Sequence, residues 1–330
     1  VRQLAREVGL YPSLMDVVGI RSLNVAPDAD VQPSQAKGGP SVNRLRSLLE
    51  MGLARLKRID PSPTVSVPIQ QCALVVGGGI AGMTAALAIA DHGFPVEIIE
   101  KADRLGGNLI WLKQTLEGQA IPDLLAETEQ RVIKQPLVSV RIGSRVLAAY
   151  GHVGQFYTTI ENPEGEVETL EHGVTILATG GDEARTTSYG FGNSPAIITQ
   201  KELEQKLADR SIDPLALDTV VMIQCVDSRE EPRNYCSRVC CASALKHALQ
   251  MKEQNPTIAV YVLYRDMMTY GFTETYYTRA RKNDIGFIQY SLENKPRVEV
   301  NQGVVTVSVF EPIIGQTIEI STDLLVLATG

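Results

Sequence analysis

Cys72-Ala73-Leu74-Val75-Val76-Gly77-Gly78-Gly79-Ile80-Ala81-Gly82-Met83-Thr84-Ala85-Ala86-Leu87-Ala88-Ile89-Ala90-Asp91-His92-Gly93-Phe94-Pro95-Val96-Glu97-Ile98-Ile99-Glu100 is the stretch that decides the fold. An apolar run, Cys72 to Val76, meets glycines at Gly77, Gly79 and Gly82. An alanine-rich segment from Ile80 to His92 follows, and then a second apolar run, Val96 to Ile99, that ends on Glu100. Strand, glycine turn, helix, strand and acid in that order make a dinucleotide-binding unit of about thirty residues. Gly77 permits the tight turn, Gly79 lets the backbone approach a pyrophosphate, and Gly82 lets helix and strand pack closely. The helix N-terminus adds free N–H groups and a positive dipole end. Glu100 falls 18 residues after Gly82. A carboxylate there accepts hydrogen bonds from both ribose hydroxyls and repels a 2′-phosphate, which disfavours NADP. The alternative is a glycine-rich turn without a ligand, and the complete pattern argues against it. The candidate binding residues of this unit are Gly77, Gly79, Ile80, Ala81, Gly82, Glu100 and Lys101. The pattern alone does not separate FAD from NAD.

Around this unit the 330-residue chain is 44% hydrophobic, enough to bury a sizeable core in one or two domains. Its net charge of −7 argues against nucleic acid and anionic membrane as main partners. No run of about 18 apolar residues is present, so no transmembrane helix is expected. The chain starts Val1-Arg2-Gln3-Leu4 and stops on Leu327-Ala328-Thr329-Gly330, a strand running into a glycine turn. The expectation is a segment of a longer polypeptide. Residues 1–26 read as partly helical and 27–41 as a linker rich in Pro, Gly, Ser and Asp. Leu45, Leu48, Leu49, Leu53 and Leu56 predict an amphipathic helix over 42–58. Its basic face is either simply solvated or docks on an acidic partner. Residues 132–180 read as β-rich, with a hairpin turn at Asn162-Pro163-Glu164-Gly165. Helices are expected at 200–208, 240–253 and 273–283, and strands at 174–177, 218–225 and 258–264. A β-rich tail begins at 297. This alternation predicts an α/β fold with parallel Rossmann-type sheets and a β-rich insertion. Leu177-Ala178-Thr179-Gly180 recurs as Leu327-Ala328-Thr329-Gly330.

Five cysteines occur, and four of them, Cys225, Cys236, Cys240 and Cys241, lie within 17 residues in the spacing C-x10-C-x3-C-C. An odd count with one tight cluster is a poor match to a disulfide framework and suits metal or redox chemistry in a reducing cytoplasm. Tetrahedral zinc sites usually bring two C-x2–4-C knuckles, and only one is present. A [4Fe–4S] cluster needs four thiolates and tolerates irregular spacing. If Cys236 and Cys240 are one helical turn apart, Cys241 points away by about 100°, so a loop must help shape such a site. A redox-active cysteine pair remains open as a rival, and so do buried unpaired cysteines.

Further motifs carry a resemblance. Arg104-Leu105-Gly106-Gly107-Asn108 and Ala178-Thr179-Gly180-Gly181 resemble two segments that thioredoxin reductase-like flavoproteins place at FAD. The resemblance implies a two-dinucleotide-binding-domain flavoprotein fold. It adds Gly106, Gly107, Asn108, Ala178, Thr179 and Gly180 to the FAD-contacting candidates. Those flavoproteins carry a second GxGxxG for NAD(P)H, and none follows residue 180 here. The run Gln224-Cys225 to Tyr235-Cys236-Ser237-Arg238-Val239-Cys240-Cys241, with Leu263-Tyr264-Arg265-Asp266 and Thr269-Tyr270-Gly271-Phe272, resembles the A-subunit family of heterodisulfide reductase over roughly residues 72–330. This resemblance implies FAD and a nearby [4Fe–4S] cluster ligated by Cys225, Cys236, Cys240 and Cys241. It implies that Lys246 lies near the isoalloxazine and acts on its potential. It implies an oxidoreductase subunit relaying electrons between partner-borne clusters and its own, with a capacity to split electron pairs. Partners would be the other subunits of the complex and protein electron carriers, in the cytoplasm, with a homodimer allowed. A stand-alone FAD thiol/disulfide oxidoreductase and a non-catalytic flavoprotein scaffold stay as rivals. Two features depart from the family: residues 1–71 hold no cysteine, and Gln289 stands where the family suggests Arg. The expected domains are an N-terminal helical and linker segment (1–71), an FAD-binding domain (72–195), a second Rossmann-like domain (196–320), and a return to the FAD-binding domain (321–330). His247, beside Lys246, is expected on the helix surface. The tyrosines of 261–290 are expected to be packing residues. Arg265 and Asp266 are expected to pair, at the surface or buried.

Overall fold

The computed structural model describes residues 42–58 and 67–330. The expected helix in 1–26 and linker at 27–41 lie outside the described residues. The chain forms two compact units, Val1–Val67 and Pro68–Gly330. In the first, α1 (Val42–Leu56) confirms the predicted amphipathic segment and carries an Arg46–Glu50 ion pair of 3.0 Å one turn apart.

The second unit starts on β1 (Ala73–Val76), an apolar strand closed in on both faces. The glycine turn leads to α2 (Ile80–Asp91) and then β2 (Val96–Ile99). α3 (Ile121–Lys134) and β3 (Val138–Arg141) follow. Three antiparallel strands, β4 (Arg145–His152), β5 (Gln155–Glu161) and β6 (Val167–His172), precede β7 (Val174–Leu177). The parallel sheet has the order β3-β2-β1-β7. Met83, Ala86 and Leu87 of α2 cover one face against Val75 and Ile98. Ile160 of β5 packs on Leu74 and Ile99 on the other.

The second half repeats this plan. It contains β8 (Ile197–Thr199), α4 (Gln200–Ala208), β9 (Thr219–Val226) and α5 (Cys240–Gln254). Then come β10 (Ala259–Tyr264), α6 (Glu274–Lys282) and β11 (Gly286–Gln289). An antiparallel meander of β12 (Arg297–Asn301), β13 (Val304–Glu311) and β14 (Gln316–Thr322) leads to β15 (Leu324–Thr329). The sheet order is β11-β10-β9-β15-β8. The core strands β3-β2-β1-β7 thus correspond to β11-β10-β9-β15, and each half inserts a three-stranded meander before its last core strand. The repeated Leu-Ala-Thr-Gly phrase falls at the C-terminal ends of the equivalent strands β7 and β15.

That correspondence corrects one expectation. Residues 321–330 do not return to the first domain. β15 is buried along its whole length and pairs in parallel with β9 on one side and β8 on the other, inside the second sheet. The same strand closes the core of each half, so its repeated signature does not say which half it belongs to. α4 and α5 cover one face of this sheet through Leu203, Ala244, Leu245 and Ala248. Val305, Val307 and Val309 of β13 cover the other. No helix among the described residues is long and apolar enough to cross a membrane.

Candidate functional site

The glycine turn has the geometry its residue types imply. Gly77 adopts φ +110°, and a Cβ on it would sit 2.2 Å from the Ala178 carbonyl oxygen. A Cβ on Gly82 would sit 1.9 Å from the Gly77 carbonyl oxygen. Gly79 is different: a Cβ there would meet nothing within 4 Å, so its face is open to an approaching group. Glu100 closes the turn from below, accepting the Gly78 N–H at 2.6 Å and the Ala102 N–H at 2.7 Å. Gly106 donates its N–H to the Gly78 carbonyl at 2.9 Å, and Asn108 Nδ2 donates to the Gly181 carbonyl at 3.0 Å. Ala178 donates to the Val76 carbonyl at 2.8 Å. Ile80, Ala81, Gly107, Asn108, Thr179 and Gly180 therefore form an exposed rim around the turn. Lys101 stands outside it, 3.9 Å from Asp182.

Cys225 lies near the end of β9, Cys236 in the loop, and Cys240 and Cys241 open α5. The loop 227–239 thus takes the place in the second half that the glycine turn takes in the first. The backbone turns left-handed at Cys225 (φ 58°) near the end of β9 and, within the loop, at Asp227 (49°), Arg229 (59°) and Arg238 (63°). These are strained conformations for residues with a Cβ and are typical of ligand-gripping loops. Arg265 holds the loop from outside by donating to the Ser228 and Arg229 carbonyls at 3.2 and 2.9 Å. Asp266 pairs with Arg229 at 2.6 Å, so the expected Arg265–Asp266 pair is replaced by two separate ties to this loop.

All four cysteines are free thiols. Burial pushes the Cys225, Cys240 and Cys241 thiols up, Cys241 to about 11, and the charges of the neighbouring cysteines in this cluster act on each of them. Each sulfur has backbone or polar neighbours. Met268 N–H faces Cys241 Sγ at 3.5 Å, Arg238 N–H faces Cys236 Sγ at 3.4 Å, and Arg229 faces Cys225 Sγ at 3.9 Å. Cys240 Sγ donates to the Thr329 carbonyl at 3.4 Å. Among the described residues, no three His, Cys, Asp or Glu side chains are gathered closely enough to hold a metal ion. Cys72 stands apart in the first half, donating to the Glu171 carbonyl at 3.3 Å. Both side-chain amide atoms of fully buried Gln224, and the hydroxyls of buried Thr269 and Thr329, find no partner. Such orphaned groups are costly and rare in a folded core. All three residues stand within two positions of a cysteine or of a backbone group facing one.

A cavity of about 300 Å³ joins the two halves. Asn108, Trp111 and Gly181 line it from the first, and Cys240, Lys246 and Thr329 from the second. Lys246 is buried, pairs with Glu204 at 2.6 Å and donates to the Gln114 carbonyl at 3.1 Å. His247 is not on the surface as expected. It is 1% exposed and bridges Gln200 and Glu204. Burial lowers its basicity against the pull of Glu204. Burial alone would raise the Glu204 carboxyl, but the His247 hydrogen bond and the Lys246 charge outweigh it and bring the group to about 2. The sequence alone did not single out Glu204 or Gln200. The flanking Ala244, Leu245, Ala248 and Leu249 were the available signal that α5 is buried on more than one side. Of the tyrosines, Tyr290 packs in the core with its hydroxyl on the Gln224 carbonyl, whereas Tyr270 is 63% exposed.

The family model of the NAD(P)-binding Rossmann-like domain matches residues 75–110. The first iron-sulfur A-subunit of the CoB-CoM heterodisulfide reductase of Methanopyrus kandleri is 26% identical, over all of this chain and 63% of its own length. The A-subunit of the ferredoxin:CoB-CoM heterodisulfide reductase of Methanosarcina mazei is also 26% identical, over all of this chain and 52% of its own. The chain thus spans between half and two thirds of the curated relatives it matches. Among solved structures, the thioredoxin reductase of Lactococcus lactis superposes with a TM-score of 0.52 at 17% identity, covering 79% of this chain and 78% of that one. The thioredoxin reductase of T. acidophilum reaches 0.50 at 17% identity over the same shares. These likenesses establish the fold. The chain is a homologue, over its full length, of the heterodisulfide reductase A-subunits, built on a thioredoxin reductase-like α/β fold with a Rossmann dinucleotide-binding unit.

Proposed function

We propose that this chain is an oxidoreductase subunit carrying FAD and a [4Fe–4S] cluster within a heterodisulfide reductase-like complex. The observation that carries the reading is topological. A loop that carries Cys236 and is flanked by Cys225, Cys240 and Cys241 stands where the second nucleotide-binding turn would be, and one cavity runs from Cys240 to the Asn108 and Gly181 rim of the first.

The residues fit both groups. For FAD, the open face of Gly79 and the rim from Ile80 to Gly82, Gly106 to Asn108 and Ala178 to Gly180 leave room at the helix N-terminus. Glu100, with Lys101 beside it, would accept ribose hydroxyls through the carboxylate lone pairs that the Gly78 and Ala102 N–H groups leave free. For the cluster, Cys225, Cys236, Cys240 and Cys241 supply four soft donors with no imidazole competing in that loop. The orphaned Gln224, Thr269 and Thr329 groups mark polar surface that lacks its partner. When bound, the two groups supply two-electron and one-electron redox chemistry. Lys246 presents a cation at the cavity wall, where it favours negative charge. Met268 and Arg238 direct N–H groups at sulfur, which makes the thiolates less electron-rich and raises the potential of whatever they bind. Arg265 and Asp266 hold the loop in shape.

Lacking a second glycine turn, the chain exchanges electrons with other subunits and protein carriers rather than NAD(P)H. The capacity to split electron pairs and a cytoplasmic location belong to this reading, which allows a homodimer. Among the described residues no three His, Cys, Asp or Glu side chains meet closely enough for a metal ion, which keeps open a second reading, a flavin-linked cysteine pair working as a thiol/disulfide oxidoreductase. Light-driven reduction of the flavin in anaerobically purified protein, followed by EPR, separates them. The proposal expects a reduced-cluster signal to grow. A flavin that reduces with no cluster signal, while two thiols become titratable, overturns it.

A further inference from the structure

One carboxylate at the floor of the cavity serves three partners. Glu204 Oε2 takes both Lys246 Nζ at 2.6 Å and His247 Nε2 at 2.5 Å, and Oε1 takes the Lys113 N–H at 2.8 Å. His247 Nδ1 lies 2.5 Å from Gln200 Oε1. Lys246, Glu204, Gln200 and His247 are only 6%, 4%, 7% and 1% exposed. Glu204 on α4 therefore locks α5 and the 113–114 segment, which leads from Asn108 and Trp111, into one arrangement.

The charged and titratable groups around Lys246 come from three elements. His247 and Cys240 share its helix, Glu204 and Lys201 stand on α4, and Asp182 and Glu183 lie in the turn after β7. Glu183 is committed to the start of α4, accepting Thr199 Oγ1 at 3.0 Å and the Lys201 N–H at 3.4 Å. Asp182 pairs at 3.9 Å with Lys101. Among the described residues, Glu204 is the one carboxylate paired with Lys246.

We infer that Glu204 is the positioning residue of this site: it keeps the Lys246 amine protonated and fixed at the cavity wall. A buried ammonium stripped of its anion keeps its desolvation cost and loses the compensating attraction, so the neutral amine takes over. His247 carries no negative charge and does not substitute for the carboxylate. The geometry stands without a cofactor. The consequence for flavin chemistry rests on the FAD reading above. Dithionite delivers two electrons to the bound flavin, and protons come from the buffer. With the carboxylate replaced in Glu204→Gln, the proton uptake per electron pair is expected to rise by about one as negative charge enters the cavity.

Competitive acetylation at pH 8 with peptide mapping reads the neutral amine of Lys246 directly, with or without FAD. Against the other lysines as internal standards, Glu204→Gln is expected to raise Lys246 labelling at least about tenfold, and His247→Gln to leave it within about threefold. Glu204→Asp keeps a shortened carboxylate and gives a rise between the two. If Glu204→Gln does not fold, the rise in Glu204→Asp decides. Unchanged labelling in a folded Glu204 variant, or equal rises in the Glu204→Gln and His247→Gln variants, overturns the inference. In FAD-loaded protein, the slope of midpoint potential against pH supplies the proton count, and an unchanged count in Glu204→Gln also overturns it. A protein that purifies without flavin and shows the labelling rise overturns the FAD reading while sustaining the role of Glu204.

Discussion

Glu100 and Arg265 occupy the same place in the two halves of the fold: each directly follows the last residue of an equivalent strand, β2 or β10, and each closes the loop beside it. Glu100 accepts the Gly78 N–H at 2.6 Å, whereas Arg265 donates to the Ser228 and Arg229 carbonyls at 3.2 and 2.9 Å. A turn that offers N–H groups to a phosphate is braced by an acid. A loop that turns its carbonyls outward and its sulfurs inward is braced by a base. In the second half a base, Arg265, stands at the position that the acid Glu100 takes in the first.

Arg265→Met should therefore act on the cysteine loop and spare the flavin site. Losing hydrogen bonds from a charged donor costs about 1.5–3 kcal/mol. Iron bound per chain is expected to fall while bound FAD stays at the wild-type level. Parallel iron and flavin assays check this, and a matched loss of both would contradict it.

The two glycines of the turn should separate binding from folding. Gly79→Ala places its methyl in open space and is expected to change stability by less than about 0.5 kcal/mol, while lowering FAD retention at least about tenfold. Gly82→Ala drives a methyl into the Gly77 carbonyl and should cost about 1–3 kcal/mol or more. Thermal melts with flavin absorbance distinguish the two variants.

Acid should weaken the domain through His247 and Glu204. His247 is less basic folded than unfolded, so the unfolded chain binds more protons below about pH 6.5, and stability falls as pH drops from there. Glu204 is held at about 2, so its contribution is complete above the unfolded value near 4.5 and is lost as pH falls toward 2. His247→Gln should flatten the upper part of a melting-temperature profile and Glu204→Gln the lower part. A wild-type profile level from pH 7 to 3 would contradict both.

Among the cysteines, replacing any of Cys225, Cys236, Cys240 or Cys241 by Ala should lower bound iron, and Cys72→Ala should not. Cys72 sits on the first half against the Glu171 carbonyl, away from the other four. Iron analysis of the five variants is the check.

Much of this architecture is legible in local pattern. The glycine turn, α4, α5 and most parallel strands announce themselves through apolar runs and helical spacing. The short β11 and the solvent-facing α3, with Pro122 in its first turn, do not. β15 was recognisable as a strand but not as a member of the second sheet, since its neighbours β8 and β9 are more than ninety residues away in sequence. The buried Glu204–His247 bond spans 43 residues, and no local signal links a polar helix like α4 to a Lys-His pair on α5. Arg265 and Asp266 sit side by side in sequence, but their partners come from the loop after β9.

The central claim is that one chain holds both a flavin and a cluster. The direct measurement is FAD, iron and acid-labile sulfide per chain in anaerobically purified protein. The account predicts about one FAD with about four iron and four sulfide. Less than about one iron per chain, with two thiols titrating on reduction, would contradict it.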